Sequence, residues 1–182
     1  ENTLTDEEIN AVIRVLKSGY LTMGRETAKF EQEFAAAVGS KNAIMVNSGS
    51  SANLLAFFAM SNPLIQDNPL PRLQPGDEVI VPTLTWATTV WPIIQIGCVP
   101  VFIDCDPLTL QVRPEAVQQA ITEKTRAICV VSVLGNTPDI SAIKAIAKQE
   151  NLWLIEDACE SLGVKFNQKC VGTWGDFGTY SF

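Results

Sequence analysis

Apolar and polar positions follow two alternating patterns along this chain, and together they predict an α/β domain. Short, mostly apolar runs predict strands at 42–46, 78–82, 98–104, 127–133 and 152–155. Segments of helical period predict helices at 6–18, 26–38, 54–60, 83–91, 113–121 and 140–150. Because strands and helices keep alternating, we expect a mostly parallel sheet flanked by helices.

Several helix ends and one loop are marked by their residue types. Thr5 is predicted to be the N-cap of the first helix, with Glu8 at the capping-box position and Gly19 as its stop. The second helix should end at Gly39. The segment 62–75 is rich in Pro and Asn, so it is predicted to be a surface excursion.

The run 152–155 ends abruptly at the acids Glu156 and Asp157. In open α/β sheets, ligands bind at the carboxyl edge of the strands, where this run should emerge. A half-desolvated Asp157 at that edge is well suited to pair with a cationic nitrogen of a ligand. The alternative is that Asp157 only caps the next element or binds solvent.

A second strand exit has the composition of a phosphate site. The strand predicted at 42–46 is followed by the small polar segment 47–53 with Gly49, and then by an apolar helix. Free backbone N–H groups at such a helix start can surround an anion. The pattern is neither a Walker motif nor GxGxxG, so it does not indicate ATP or a dinucleotide. A plain helix-capping turn remains the alternative.

Trp86 follows the strand predicted at 78–82, and 134–138 with Gly and Asn forms a further strand exit. At this edge the indole of Trp86 could lie flat on a ligand ring, or it could fill a gap in the core. An anion cradle, a flat aromatic side chain and an acid for a ring nitrogen together match the requirements of pyridoxal phosphate.

Composition and charge narrow the function classes. The chain has 182 residues, 47% hydrophobic and 18% charged, which predicts one globular domain. The net charge of −7 and the lack of a basic run argue against nucleic acid or a membrane as partner. Five cysteines without a CxxC pair, and no His, argue against a metal site and indicate thiols in a reducing cytoplasm. No signal peptide or membrane-length apolar segment is recognisable.

Four segments, in order and spacing, resemble the DegT-type sugar aminotransferases (the DegT/DnrJ/EryC1/StrS family): 47–53, 82–88, 156–163 and 172–182. The resemblance implies the aspartate-aminotransferase-like fold, fold type I. Residues 1–182 would be the N-terminal part of its large domain, with helices in 1–40 and the cofactor-binding core in 41–182. The rest of the large domain and a small C-terminal domain would follow. A homodimer acting on a nucleotide-linked keto-sugar is also implied.

The same resemblance assigns cofactor contacts by position. It implies that Gly49 and Ser50 hold the phosphate of pyridoxal or pyridoxamine phosphate, with Ser181 as a further phosphate ligand. Trp86 would stack on the ring, and Asp157 would pair with the pyridine nitrogen.

Three segments resemble a branch of the family that removes a hydroxyl group, the sugar 3-dehydratases, more than the aminotransferases: 47–55, 134–138 and 157–163. Glu160 would lie near the ring hydroxyl, where many relatives have Gln, although some aminotransferases also have Glu. The expected reaction is therefore pyridoxamine-phosphate-dependent 3-dehydration of a nucleotide-linked 4-keto-6-deoxyhexose, in deoxysugar or lipopolysaccharide biosynthesis.

The residue that decides the chemistry is expected just beyond Phe182. The chain ends at 179–182 in what looks like a strand, which indicates a fragment. In the family, the catalytic position lies a few residues after the serine that matches Ser181. Lys there would imply transamination with glutamate, and His would imply dehydration. With neither, the chain would be a non-catalytic α/β binding or regulatory module that kept the fold.

Overall fold

The computed structural model describes residues 4–65 and 68–182. The chain divides into two compact units, Glu1–Met45 and Val46–Phe182. The first unit contains helices α1 (Asp6–Ser18) and α2 (Arg25–Val38). The predicted capping box at Thr5 is confirmed, and α1 ends at Gly19, whose φ of 70° is in the left-handed region.

The second unit is built on a parallel sheet with strand order β2-β1-β3-β4-β7. Its strands are β1 (Glu78–Pro82), β2 (Val99–Ile103), β3 (Thr125–Val131), β4 (Trp153–Asp157) and β7 (Phe177–Thr179). A separate antiparallel pair consists of β5 (Lys165–Phe166) and β6 (Lys169–Cys170). The helices are α3 (Gly49–Ser61), α4 (Ala87–Gln95), α5 (Pro114–Ala120) and α6 (Ile140–Gln149), with a 3-10 turn at Val133–Gly135. In the described ranges, no helix has the length and apolarity needed to span a bilayer.

Apolar side chains cover both faces of this sheet. Val79 and Val81 of β1 pack with Phe57 of α3 and Ile93 of α4, whereas Ile80 packs on the opposite side. The second cluster contains α5 and α6 residues such as Val117 and Ile143. Successive residues of a strand point to opposite faces, so a run that is buried on both faces must be continuously apolar. The predicted mostly parallel sheet with flanking helices is confirmed.

Four predicted strands agree with β1 to β4 within about two residues at each end, but other predictions need correction. The helix predicted at 83–91 is α4, which begins only at Ala87 and extends to Gln95. The segment 42–46 is not a strand, and the Met45 amide instead donates to a Glu31 carboxylate oxygen at 2.7 Å. Helix α3 begins at Gly49 rather than Leu54, because Ser48 caps it and brings the small residues into its first turn. At 179–182, the strand ends at Thr179.

The predicted surface excursion at 62–75 is anchored to the core at its far end; Gln66 and Asp67 lie outside the described residues. Leu73 is 2% exposed, and its amide donates to the Met60 carbonyl at 2.9 Å. The Trp153 indole N–H donates to the Pro71 carbonyl at 2.8 Å. The prediction is therefore wrong for Leu73, which is buried, whereas its neighbours Arg72 and Gln74 are exposed as predicted.

Glu156 is a buried residue of β4. The sequence predicted that this strand would end at Ile155 and that Glu156 would lie at the edge of the sheet. One of its oxygens accepts the amides of Trp174 and Gly175, both at 2.6 Å. The other oxygen accepts the Gly172 amide at 2.8 Å. Burial raises the pKa of this carboxyl, while the three amide donors act in the opposite direction. Glu156 therefore holds the chain that leads into β7.

We expect Glu156→Gln to lower the free energy of unfolding of the full-length protein by about 1–3 kcal/mol. The substitution puts an NH₂ group against a backbone N–H, so at least one buried hydrogen bond is lost. Denaturant unfolding measures the loss. Glu123→Gln, at an exposed position, is the matched control and should change stability by less than about 0.5 kcal/mol. Equal midpoints for the two variants would contradict a role for Glu156 in holding this loop.

Candidate cofactor site

A cleft of about 400 Å³ opens at the carboxyl ends of β3 and β4, beside the starts of α3 and α4. All six residues predicted for the site line this cleft: Gly49, Ser50, Trp86, Asp157, Glu160 and Ser181. They meet because the carboxyl ends of parallel strands share one edge of the sheet. The residues that line the described cleft include no lysine or arginine.

Asp157 is the last residue of β4 and is only 4% exposed. Its Oδ2 accepts hydrogen bonds from Asn53 Nδ2 at 2.8 Å and from Thr89 Oγ1 at 2.7 Å. Its Oδ1 accepts the Cys159 amide at 3.2 Å. The ion pairs of the described residues do not involve Asp157. The carboxylate is thus held in the interior by neutral donors.

Asn53 connects Asp157 to the end of β7. Its side-chain oxygen accepts the Thr179 hydroxyl at 2.7 Å, so the amide oxygen faces Thr179 and the amide nitrogen faces Asp157. Asn53, Thr89 and Thr179 are each at most 3% exposed. The sequence reasoning missed all three. One signal was available, since Asn53 lies on the same face of α3 as the buried Ala56, Phe57 and Met60.

The start of α3 has the small residues that a close approach requires. Ser48 accepts the Ser51 amide at 3.2 Å, and Ser50 donates to Thr88 Oγ1 at 2.9 Å. A Cβ atom at Gly49 would lie 2.6 Å from Cys159 Sγ and 2.9 Å from Ser181 Cβ. Only glycine therefore fits between Cys159 and Ser181 without displacement.

Trp86 is the N-cap residue of α4 and is 72% exposed. This exposure excludes the alternative that its indole fills a gap in the core. Because it lines the cleft, a flat apolar surface of Trp86 is available to a ligand.

Glu160 is exposed, and its Oε2 accepts the amide of Leu134 at 2.7 Å. Leu134 has a backbone φ of 52°, in the left-handed region that residues other than glycine rarely adopt. Glu160 therefore stabilises the turn that follows β3 at one side of the cleft.

The thiols near Asp157 are neutral. Burial, followed by the charge of Asp157, raises the pKa of Cys159 to about 12. The same two causes raise the pKa of the fully buried Cys129 well above its usual value. Since a thiol reacts as its thiolate, Cys159 is not set up as a nucleophile.

We expect Gly49→Ala to destabilise the full-length protein by about 1–3 kcal/mol, because the added methyl group overlaps Cys159 and Ser181. In a Cys159→Ala background, the sulfur contact is absent and the cost of Gly49→Ala should fall. Thermal unfolding of the four proteins in this double-mutant cycle measures the difference. The same cost in both backgrounds would show that the sulfur does not limit this position.

Comparison with known proteins agrees with this geometry. The sequence profile of the DegT/DnrJ/EryC1/StrS aminotransferase family matches residues 2–182. GDP-4-keto-6-deoxy-D-mannose 3-dehydratase of Yersinia pseudotuberculosis is 41% identical over 180 residues, which are 99% of this chain and 44% of that protein. The structure of E. coli GDP-4-keto-6-deoxy-D-mannose-3-dehydratase with bound hydrated PLP superposes with a TM-score of 0.89 at 42% identity, covering 99% of this chain and 45% of that one.

An aminotransferase from Psychrobacter cryohalolentis superposes with a TM-score of 0.88 at 35% identity, covering 99% of this chain and 43% of that one. The chain therefore spans less than half the length of the relatives it matches. The predicted aspartate-aminotransferase-like fold, fold type I, is confirmed by these likenesses. Both the profile match and the fold lead to one conclusion: this chain belongs to the DegT/DnrJ/EryC1/StrS aminotransferase family.

Proposed function

We propose that this chain is the cofactor-binding part of a vitamin-B6-dependent enzyme of nucleotide-sugar metabolism. Residues 1–182 would form the N-terminal part of its large domain, with helices in 1–40 and the cofactor-binding core in 41–182. The observation that carries the proposal is Asp157, a carboxylate 4% exposed that lines the cleft and has only neutral donors. A buried negative charge without a cationic partner suits a cationic ligand.

The described residues fit pyridoxal or pyridoxamine phosphate at both ends. At one end, Asp157 would accept the protonated pyridine nitrogen. At the other, the first backbone N–H groups of α3, at Gly49 and Ser50, lack intrahelical acceptors and would bind the phosphate, joined by the Ser181 hydroxyl. The contact of Gly49 with Ser181 supports this, because a side chain there would fill the cradle.

Two further residues would complete the ring site. The exposed indole of Trp86 would cover one face of the ring and exclude water from it. Glu160 would lie near the ring hydroxyl, and its hydrogen bond to Leu134 would keep that side of the cleft in place. The cofactor, when bound, supplies an electron sink for breaking bonds next to the substrate's C4 carbon. The part of Asp157 is to remain ionised so that the ring nitrogen stays protonated.

For the reaction, we propose 3-dehydration of a nucleotide-linked 4-keto-6-deoxyhexose, in deoxysugar or lipopolysaccharide biosynthesis. The support is the 41% identity to a GDP-4-keto-6-deoxy-D-mannose 3-dehydratase together with the dehydratase-like segments 47–55, 134–138 and 157–163. The second candidate is glutamate-dependent transamination of such a sugar, supported by the 35% identity to an aminotransferase. In either case the catalytic Lys or His would be supplied from beyond Phe182.

We also propose that the protein acts as a homodimer in the cytoplasm. Two helices of the second unit expose large apolar side chains at helical spacing: Leu55 and Phe58 on α3, and Trp91 and Ile94 on α4, each 43% exposed or more. Paired surfaces of this kind are typical of subunit interfaces. All five cysteines are free thiols, as expected in a reducing compartment.

Asp157→Asn in the full-length protein should abolish turnover, a loss of at least about 100-fold, and weaken retention of pyridoxamine phosphate. Asn keeps the shape of Asp157 but lacks the negative charge that would stabilise the protonated ring nitrogen. Cofactor absorbance after gel filtration and a turnover assay measure both effects. The matched control is Asp106→Asn, an acid outside the residues that line the cleft, which should retain cofactor. Near-normal turnover by Asp157→Asn would refute the assignment of this residue.

The two reactions are distinguished by the product and by a trapping experiment on the full-length protein. A dehydratase should remove the C3 hydroxyl from the sugar. Treatment with pyridoxal phosphate and borohydride should not label the enzyme covalently. A transaminase should produce an amino-sugar in the presence of glutamate, and borohydride should fix pyridoxal phosphate to a lysine. Failure of the full-length protein to bind either cofactor form would favour the non-catalytic binding or regulatory module.

A further inference from the structure

The hydrogen-bond donors around Asp157 are divided unequally between its two oxygens. Oδ2 accepts two hydrogen bonds, from Asn53 and Thr89, whereas Oδ1 accepts one, from the Cys159 amide. An ionised carboxylate oxygen accepts about two hydrogen bonds. Oδ2 is therefore saturated, whereas Oδ1 has a single N–H donor; the Cys159 thiol is a further, weak donor to this carboxylate that a stronger N–H donor could replace.

Asp157 and Thr179 together hold the Asn53 amide in one orientation. The Thr179 hydroxyl donates to Asn53 Oδ1, and the Asn53 NH₂ group donates to Asp157. A rotated amide would put its oxygen against the carboxylate, so Asp157 requires the NH₂ group on its side, and Thr179 holds this orientation by donating to the amide oxygen. All three side chains are at least nine-tenths buried. A hydrogen bond is electrostatically stronger in such surroundings than in water, and an unpaired polar group is more costly.

The three side chains also join the two ends of the cleft. Asn53 lies one turn after Gly49 in α3, and Thr179 lies two residues before Ser181. The residues proposed to bind the phosphate are thereby connected through Asn53 to the acid proposed to bind the ring nitrogen.

We propose that Asn53 and Thr179 are a positioning pair that presents Asp157 Oδ1 to the pyridine nitrogen. This inference rests on the proposed function, because it assigns the ligand of Oδ1. Neither residue contacts the reacting atoms. Thr179 holds the Asn53 amide, Asn53 and Thr89 together saturate Oδ2, and Oδ1 is left as the acceptor for the ring N–H.

The charged and titratable groups near Asp157 are few. Cys159 and Glu160 follow it in the chain, Cys129 faces it from β3, and Glu156 precedes it on the opposite side of β4. Helices α3 and α4 have no charged residue, and neither does β7. The groups that hydrogen-bond to Asp157 are therefore neutral, and Asn53 and Thr179 are the residues to vary.

The test uses the full-length protein with pyridoxamine phosphate that is ¹⁵N-labelled at the ring nitrogen. Thr179→Val removes the hydroxyl group and keeps the shape. It should weaken cofactor binding about tenfold, because the hydrogen bond that holds the Asn53 amide beside Asp157 is lost. The ¹⁵N chemical shift should also move from the protonated towards the neutral pyridine value. Thr179→Ser keeps the hydroxyl group and should restore both readouts.

Two further variants separate positioning from stability. Thr125→Val removes a buried hydroxyl group at the start of β3, which accepts the Thr122 amide at 2.9 Å. It should lower the melting temperature but leave the ¹⁵N shift unchanged. Asn53→Leu removes the donor to Asp157 directly, and should move the ¹⁵N shift towards the neutral pyridine value. This variant tests the inference independently if Thr179→Val folds poorly.

The possible outcomes distinguish this inference from the proposed function. If Thr179→Val or Asn53→Leu folds and gives the parent's affinity and ¹⁵N shift while Asp157→Asn loses both, the positioning pair is refuted and the cofactor assignment stands. If Asp157→Asn itself retains the cofactor and the protonated ¹⁵N signal, the proposed function fails. The role of Asn53 and Thr179 in presenting Asp157 to the pyridine nitrogen then fails with it.

Discussion

Burial of the Asp157 carboxylate is the constraint on which the candidate site depends. A charge that is 4% exposed must be met by donors, and here the side-chain donors come from two different helices. Asn53 fixes α3, which carries Gly49 one turn earlier, and Thr89 fixes α4, whose N-cap is Trp86. The requirement to solvate one carboxylate therefore also sets the positions of the helix start and the indole around the cleft.

The two acids at the end of β4 hold the same neighbouring strand at opposite ends. Glu156 and Asp157 point to opposite faces because successive side chains of a strand alternate. Glu156 accepts three amides from 172–175, just before β7 begins. Asp157 reaches Thr179, at the end of β7, through Asn53. Because both ends of β7 are held, Ser181, two residues after the strand, lies in the cleft.

Local pattern was sufficient to find the buried strands to within about two residues and to indicate Gly49, Trp86 and Asp157 at one edge of the sheet. Glu160 and Ser181 came only from the family resemblance. Local pattern failed at 42–46, because an apolar run does not reveal whether a partner strand exists. It also placed the start of α3 too late, since the small residues of 47–53 are weak helix formers except beside a cap. The pairs Asn53–Asp157 and Thr179–Asn53 are 104 and 126 residues apart, so only the folded chain reveals them.

The choice of neutral donors determines what the site can accept. An arginine paired with Asp157 would stabilise the buried charge and also cancel its field. Amide and hydroxyl donors stabilise it and leave the negative charge available to a ligand. The same charge raises the pKa of Cys159 and so keeps that thiol neutral. Among the described residues that line the cleft, the carboxylate of Asp157 suits a ligand's cationic group, and the free N–H groups at the start of α3 suit its anionic group.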